Sequence, residues 1–120
     1  LNLPVNKLSQ SITVKRDIPG HNDDSGQWVE GGEVLIASIV NANIQPKSGR
    51  ERASQSGTIY ESDYKMFAGT DDITWESGYS MIEAKDIIID SRGIRHKVIF
   101  PGLFPGHHYE SDLKLEATAG

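Results

Sequence analysis

The sequence predicts an all-β fold: a small antiparallel β-barrel of about six to seven strands, with one long polar connection between two of them. Short runs alternate apolar and polar residues, the period of a half-buried strand. Gly at 12 and Pro at 5 in 120 residues punctuate those runs, and helical periodicity is scarce. Closure into a barrel removes the exposed strand edges that a sheet this small would otherwise carry. The length suits a single domain over residues 1–120.

Ser11-Ile12-Thr13-Val14-Lys15-Arg16 opens the series, with Ile12 and Val14 on one face, and ends at Ile18-Pro19-Gly20. His21 to Gly26 is polar and turn-rich, and Gln27-Trp28-Val29-Glu30 before Gly31-Gly32 reads as a short strand entering a hairpin turn, with Trp28 as a core anchor. Val34 to Gln45 is the longest strand, and its length predicts a bend or bulge. On one side it sets Val34, Ile36, Val40, Ala42 and Ile44, and Pro46 stops it because proline cannot donate to a ladder.

Lys47 to Gly57 lacks strand alternation and has almost no apolar side chain, so it reads as a projecting polar loop with room for one short helix, Arg50 to Gln55. Thr58 to Phe67 alternates as one strand, Tyr60, Ser62, Tyr64 and Met66 against Glu61, Asp63 and Lys65. Asp86 to Asp90, the loop Ser91-Arg92-Gly93, and Ile94 to Phe100 form a hairpin in which Ile94, His96, Val98 and Phe100 share a face. The last strand sets Tyr109, Ser111, Leu113 and Leu115 against Glu110, Asp112, Lys114 and Glu116.

The formal charge of −5 excludes a generic duplex-DNA binder, which needs clustered Lys and Arg. Asp17 to Glu33 holds five acids and no Lys or Arg; Glu61 to Asp90 holds eight acids against Lys65 and Lys85. Between these acidic blocks lie Lys47, Arg50, Glu51 and Arg52. With no cysteine there is no disulfide scaffold, thiolate metal site or cysteine nucleophile. The longest apolar run, Val34 to Ala37 extended to Val40, is far below the roughly 18 residues that cross a bilayer, and no signal-peptide pattern opens the sequence; a soluble chain without membrane contact is expected.

Candidate chemistry is thin. His107-His108 with Asp112 invites a metal, but neighbours on a strand point to opposite faces, so no metal or cofactor is expected. His96 falls on the apolar face and reads as a hydrogen-bonded core residue. No Gly-x-Ser-x-Gly elbow, Walker loop or dinucleotide loop occurs, and Asp23-Asp24 and Asp71-Asp72 sit in turns, where aspartate bonds its own backbone. No catalytic residue is assigned and no enzyme is expected. Tyr60, Tyr64, Trp75 and Phe67 beside Lys65 offer an alternative: an OB-like barrel module that stacks single-stranded nucleic acid or oligosaccharide.

Ile12-Thr13-Val14-Lys15-Arg16, then Ser25-Gly26-Gln27-Trp28, then Ala42-Asn43-Ile44-Gln45-Pro46-Lys47-Ser48-Gly49-Arg50-Glu51, and finally Asp86-Ile87-Ile88-Ile89-Asp90-Ser91-Arg92-Gly93-Ile94-Arg95-His96-Lys97-Val98 appear in that order. This order resembles the head-tail adaptor and head-closure proteins of tailed bacteriophages, whose pattern residues 69–85 exceed in length and acidity. The resemblance implies a virion protein that assembles as a ring below the portal, retains packaged DNA and offers a surface to the tail. Its partners would be other copies of itself, the portal or an adaptor, and a tail or tail-completion protein, with packaged DNA close by. Its place would be the virion neck, after assembly in the host cytoplasm. Lys47, Ser48, Gly49, Arg50, Glu51 and Arg52 would form the channel or interface loop, with Asp23, Asp24, Asp71 and Asp72 as acidic partners on a neighbouring copy.

Overall fold

The computed structural model describes residues 9–46, 53–55, 58–60 and 63–116. In chain order the strands are β1 (Ser9–Ile18), β2 (His21–Asn22), β3 (Trp28–Val29), β4 (Gly32–Pro46), β5 (Ala53–Gln55) and β6 (Thr58–Tyr60). They continue with β7 (Tyr64–Gly69), β8 (Ile73–Trp75), β9 (Ile87–Ile89), β10 (Arg95–Phe100), β11 (Leu103–Phe104) and β12 (His108–Leu115), with a 3-10 turn at Thr70–Asp72 between β7 and β8. Six of them close an antiparallel ring in the order β1, β9, β10, β12, β7, β4 and back to β1. Outside the ring, β8 extends from β4 and β11 from β12; β2–β3 and β5–β6 are separate two-stranded ribbons. The expected all-β barrel is what the chain forms.

β4 is long enough to pair with β1 along its length and still reach both β7 and β8. Its curvature comes from two bulges. Between Gln10↔Ala42 and Ile12↔Ile39, and again between Val14↔Ala37 and Lys15↔Leu35, β4 carries one residue more than β1. Asn41, at the first bulge, takes a left-handed φ of 56°, which asparagine tolerates better than most residues. The bulges break the expected alternation: Ile36, Ala37, Ile39 and Ala42 are buried, whereas Val34 and Val40 are exposed.

Inside the ring, Val14, Ile36, Ile39, Met66, Ile88 and Leu113 are fully buried and pack with Tyr109 and Val98 into one core. On β12 the period-2 expectation holds for Tyr109, Ser111 and Leu113; Leu115, at the strand's end, is exposed. A third bulge, between Val98 and Phe100, turns Phe100 outward although His96 and Val98 face in.

Three further expectations are corrected. Trp28 is not a core anchor: it is 61% exposed, because β2–β3 is a ribbon beyond the barrel with no second layer above it among the described residues. Its indole lies instead on Gly20, where a Cβ would come within 2.4 Å of Trp28 Cζ2. Thr58 to Phe67 is not one strand; Thr58–Tyr60 pairs with Ala53–Gln55, and only Tyr64–Gly69 joins the ring. Ala53–Gln55 is therefore strand rather than the tail of a short helix, since a six-residue helix has too few internal bonds to repay nucleation while the facing strand supplies partners at once.

Strand directions give the barrel two distinct ends. β1, β7 and β10 finish at one, from which the β2–β3 arm, the 3-10 turn and the β11 hairpin emerge. At the other, Pro46 and Tyr64 stand paired where β4 finishes and β7 begins, so the 47–63 connection has both feet on adjacent strands.

Candidate functional site

A dense polar cluster ties the irregular segment 76–86 to β1. Asp86 is only 2% exposed, and Arg16 meets it with two donors, Nε to Oδ1 at 2.8 Å and Nη2 to Oδ2 at 2.9 Å. Arg16 Nη2 also donates to the Met81 carbonyl at 2.8 Å, and the guanidinium lies 5.5 Å from the Tyr79 ring centroid. The Glu83 N–H donates to Asp86 Oδ2 at 2.8 Å. Donating to the Asp86 carboxylate holds the Arg16 pKa above its ordinary value despite partial burial. One turn further along, the Ile82 N–H donates to the Tyr109 hydroxyl and Ile82 enters the core. Among these charges opens a groove of about 450 Å³ lined by Arg16, Asp17, Glu33, Lys85, Lys97 and Glu116. Guanidinium groups already engage most of its acids: Arg95 bonds Glu116 Oε1 at 2.6 Å and both carboxylate oxygens of Glu33.

A second buried cluster closes the β9–β10 turn. Asp90 Oδ1 accepts the N–H groups of Arg92 and Ile94, each at 2.9 Å, and Gly93 supplies the left-handed φ of 86°. Asp90 Oδ2 accepts from His96 Nε2 at 3.2 Å, and the Tyr64 ring meets His96 edge-on at 5.1 Å. Burial pushes the Asp90 carboxyl up, but the Ile94 N–H, His96 and the Arg92 N–H and guanidinium outweigh it and hold the group below the usual carboxylate range. His96 is 1% exposed, the hydrogen-bonded core residue expected from the sequence. An Asp–His pair this deep gives a dissolved substrate no approach.

The depressed Asp90 carboxyl has a pH consequence. Its folded pKa lies below the unfolded value of about 3.9, so its stabilisation is complete above that value and is lost as pH falls through the lower, folded one. Glu33, held down by Arg95, has the same sign. Melting temperature should stay flat from pH 7 to about pH 5 and drop below about pH 4. Asp90→Asn, which keeps an acceptor for the backbone donors, should flatten that acid limb; an unchanged limb in thermal scans would refute the assignment.

The acidic residues proposed from sequence occupy the arm and the 3-10 turn. Asp23 is spent on its own turn, accepting from the Ser25 hydroxyl and from the N–H groups of Ser25 and Gln27, which lower its pKa. Asp24 is exposed in the same turn, and Asp71-Asp72 form most of the 3-10 turn. Both pairs leave from the end where β1 and β7 finish. Lys47, Ser48, Gly49, Arg50, Glu51 and Arg52 lie outside the described residues.

Among the described side chains, the aromatic set does not assemble into one platform. Tyr64 and Trp75 pack against the core, and Phe67 alternates to the face opposite Met66 and Tyr64; the Tyr60 side chain lies outside the described residues. The His107 and His108 rings meet nearly at right angles, 6.2 Å between centroids, while His108 stacks on Phe104 and bonds Glu110 at 2.8 Å. Among the described residues no group of three or more His, Asp or Glu is placed to hold a metal ion.

Sequence reasoning missed one surface feature. Lys97 and Lys114 face each other directly across β10 and β12, both exposed, and border a groove of about 300 Å³ with Leu115 and Glu116. Only the β10–β12 register reveals this, because the two are distant in sequence.

Fold and surface together define a closed all-β barrel with an ordered charged groove, an exposed arm and a long connection between neighbouring strands. Compared with protein-family models and with curated proteins, the sequence matches none of them.

Proposed function

We propose that this chain is a structural subunit of a tailed-phage neck, forming a ring below the portal that retains packaged DNA and receives the tail. The observation that carries the reading is the placement of the 47–63 connection between two hydrogen-bonded neighbours of a closed barrel, with Pro46 facing Tyr64. A loop with its feet side by side lengthens at small entropic cost and leaves the barrel undisturbed. That is the design the resemblance implies: a rigid body carrying a strap, with Arg50 and Arg52 on the strap. In a ring each copy contributes a modest contact, and symmetry multiplies it.

The reading is tested by adding purified protein to DNA-filled, tailless heads. Wild-type protein should prevent DNA loss and permit tail attachment, while Arg50→Glu with Arg52→Glu should leak DNA or fail to take tails. Heads fully sealed and tail-competent with the double variant would end the loop's role. The same barrel would suit a module that stacks oligonucleotide or oligosaccharide, two of whose aromatics, Tyr64 and Trp75, are partly buried against the core. Measurable binding of oligonucleotide or oligosaccharide by isolated monomer would nevertheless replace the neck reading. No helix among the described residues is long and apolar enough to cross a membrane.

A further inference from the structure

Two exposed phenylalanines flank a gap on the outside of the barrel. Phe100 is 58% exposed and Phe104 49%, and the register pairs Phe100 with Asp112 and Phe104 with His108. Cross-strand partners point to the same side of a sheet, and His108, Glu110 and Asp112 alternate to the side opposite the buried Tyr109, Ser111 and Leu113. Both rings therefore stand on the outer face of β12. Between them in the chain lies Gly102, whose carbonyl accepts from the Glu110 N–H at 2.9 Å. Beside it opens a cavity of about 320 Å³, walled by Phe100 and Phe104 and lined on its polar side by Glu110, Asp112 and Lys65.

This lining is rich in acceptors and poor in donors. Aromatic faces carry the negative part of the ring quadrupole, and among the described residues two carboxylates share the cavity with one ammonium. Lys65 Nζ stands 3.8 Å from Asp112 Oδ1, an ion contact too long for a hydrogen bond. Glu110 Oε2 accepts from His108 Nε2 at 2.8 Å, while Glu110 Oε1 has no hydrogen-bond partner among the described residues. His108 also stacks on Phe104, ring planes 12° apart, which helps hold that wall in position. A phosphate or carboxylate ligand would meet like charge here, and a neutral sugar, which needs donors as well as acceptors, would find only Lys65 among the lining side chains. A flat cation that carries several N–H donors suits both the rings and the carboxylates.

We infer that this notch is a docking site for an arginine side chain of a protein partner, its guanidinium against the Phe100 and Phe104 rings and donating to Glu110 Oε1. Arginine fits better than lysine because a delocalised guanidinium is weakly hydrated, stacks on aromatic rings and donates in a planar fork. The source is a partner's side chain rather than a free small molecule because each ring keeps about half its surface in solvent. Such a notch grips the tip of a side chain but does not enclose a whole ligand, as small-molecule pockets do. The inference is independent of the neck reading, since it concerns the chemistry of one surface and not the assembly that surface joins.

The test is a titration of the full-length, nitrogen-15-labelled protein with the peptide acetyl-Gly-Arg-Gly-amide, followed by amide chemical shifts. Three comparison ligands are used: the same peptide with citrulline, the neutral isostere of arginine; the same peptide with lysine; and methyl glucoside. The arginine peptide should shift Phe100, Gly102, Phe104 and Glu110 saturably, with a Kd on the order of millimolar for a single side chain. Citrulline should bind at least about fivefold more weakly and lysine about threefold. Phe100→Leu, Phe104→Leu and Glu110→Gln should each weaken the arginine peptide roughly threefold, and since both phenylalanines are exposed, circular dichroism should show the fold retained. The inference is overturned by an absence of saturable shifts, by citrulline or lysine matching arginine, by shifts centred elsewhere on the barrel, or by affinity that survives all three substitutions. Saturable shifts at these residues from methyl glucoside and not from the arginine peptide would likewise overturn it, in favour of a sugar site.

Discussion

Replacing Arg16 with methionine should destabilise the protein by about 3–5 kcal/mol, the usual effect of removing one partner from a buried ion pair. Methionine keeps most of the aliphatic volume but leaves the Asp86 carboxylate, 2% exposed, with only the Glu83 N–H as donor from the original cluster. It also frees the Met81 carbonyl and the Tyr79 ring, so segment 76–86 loses its fastening to β1. Melting should fall on the order of 10 °C, read by thermal scans and urea titration. The companion variant Arg16→Met with Asp86→Leu should recover much of the loss, because no charge is then left buried without its partner. A double variant as unstable as Arg16→Met alone would show that the ion pair is not the cause.

Gly102→Ala should have an effect of similar size for an unrelated reason. Gly102 has φ of 62°, and a Cβ there would lie 2.1 Å from the Glu110 carbonyl oxygen and 2.9 Å from its carbon. Backbone atoms of a ring strand cannot swing aside as a side-chain tip can, so the β11 hairpin must lift away from β12. The Glu110 N–H to Gly102 carbonyl bond, 2.9 Å, would go with it. Positive φ alone costs about 1–2 kcal/mol for an L-residue, and the clash should raise the total to about 3 kcal/mol or more. Gly78→Ala is the control: its φ is 91°, but nothing lies within 4 Å of the added methyl, so it should show only the conformational cost. Equal losses for the two variants would mean that the close approach at Gly102 is relieved cheaply.

Much of the barrel was legible in the residues because its signals are local. The β9–β10 hairpin followed from Ser91-Arg92-Gly93, where Asp90 and a left-handed Gly93 build the turn within a few residues. The burial of Tyr109, Ser111 and Leu113 followed from period 2. The length of Val34 to Gln45 foretold a bulge, though not its positions or the outward turn of Val40. Trp28 was misread because a large aromatic between glycines looks like a core residue wherever it stands; whether anything covers it depends on elements elsewhere. The charged surface was less legible still. The acidic clusters could be counted, yet Asp23 proved committed to its own turn and Glu33 to Arg95.

By itself, then, the amino-acid order determined which stretches extend, where many of them turn, and that the strands belong to a closed antiparallel barrel, since alternation and turn chemistry act over two to four residues. Only the tertiary structure decided that Arg16 reaches Asp86 across 70 positions, that Lys97 stands beside Lys114, and that Trp28 stays in solvent. Those outcomes depend on ring closure, which sets the register between distant strands, and a single extra residue in β4 is enough to change which side chains the barrel encloses.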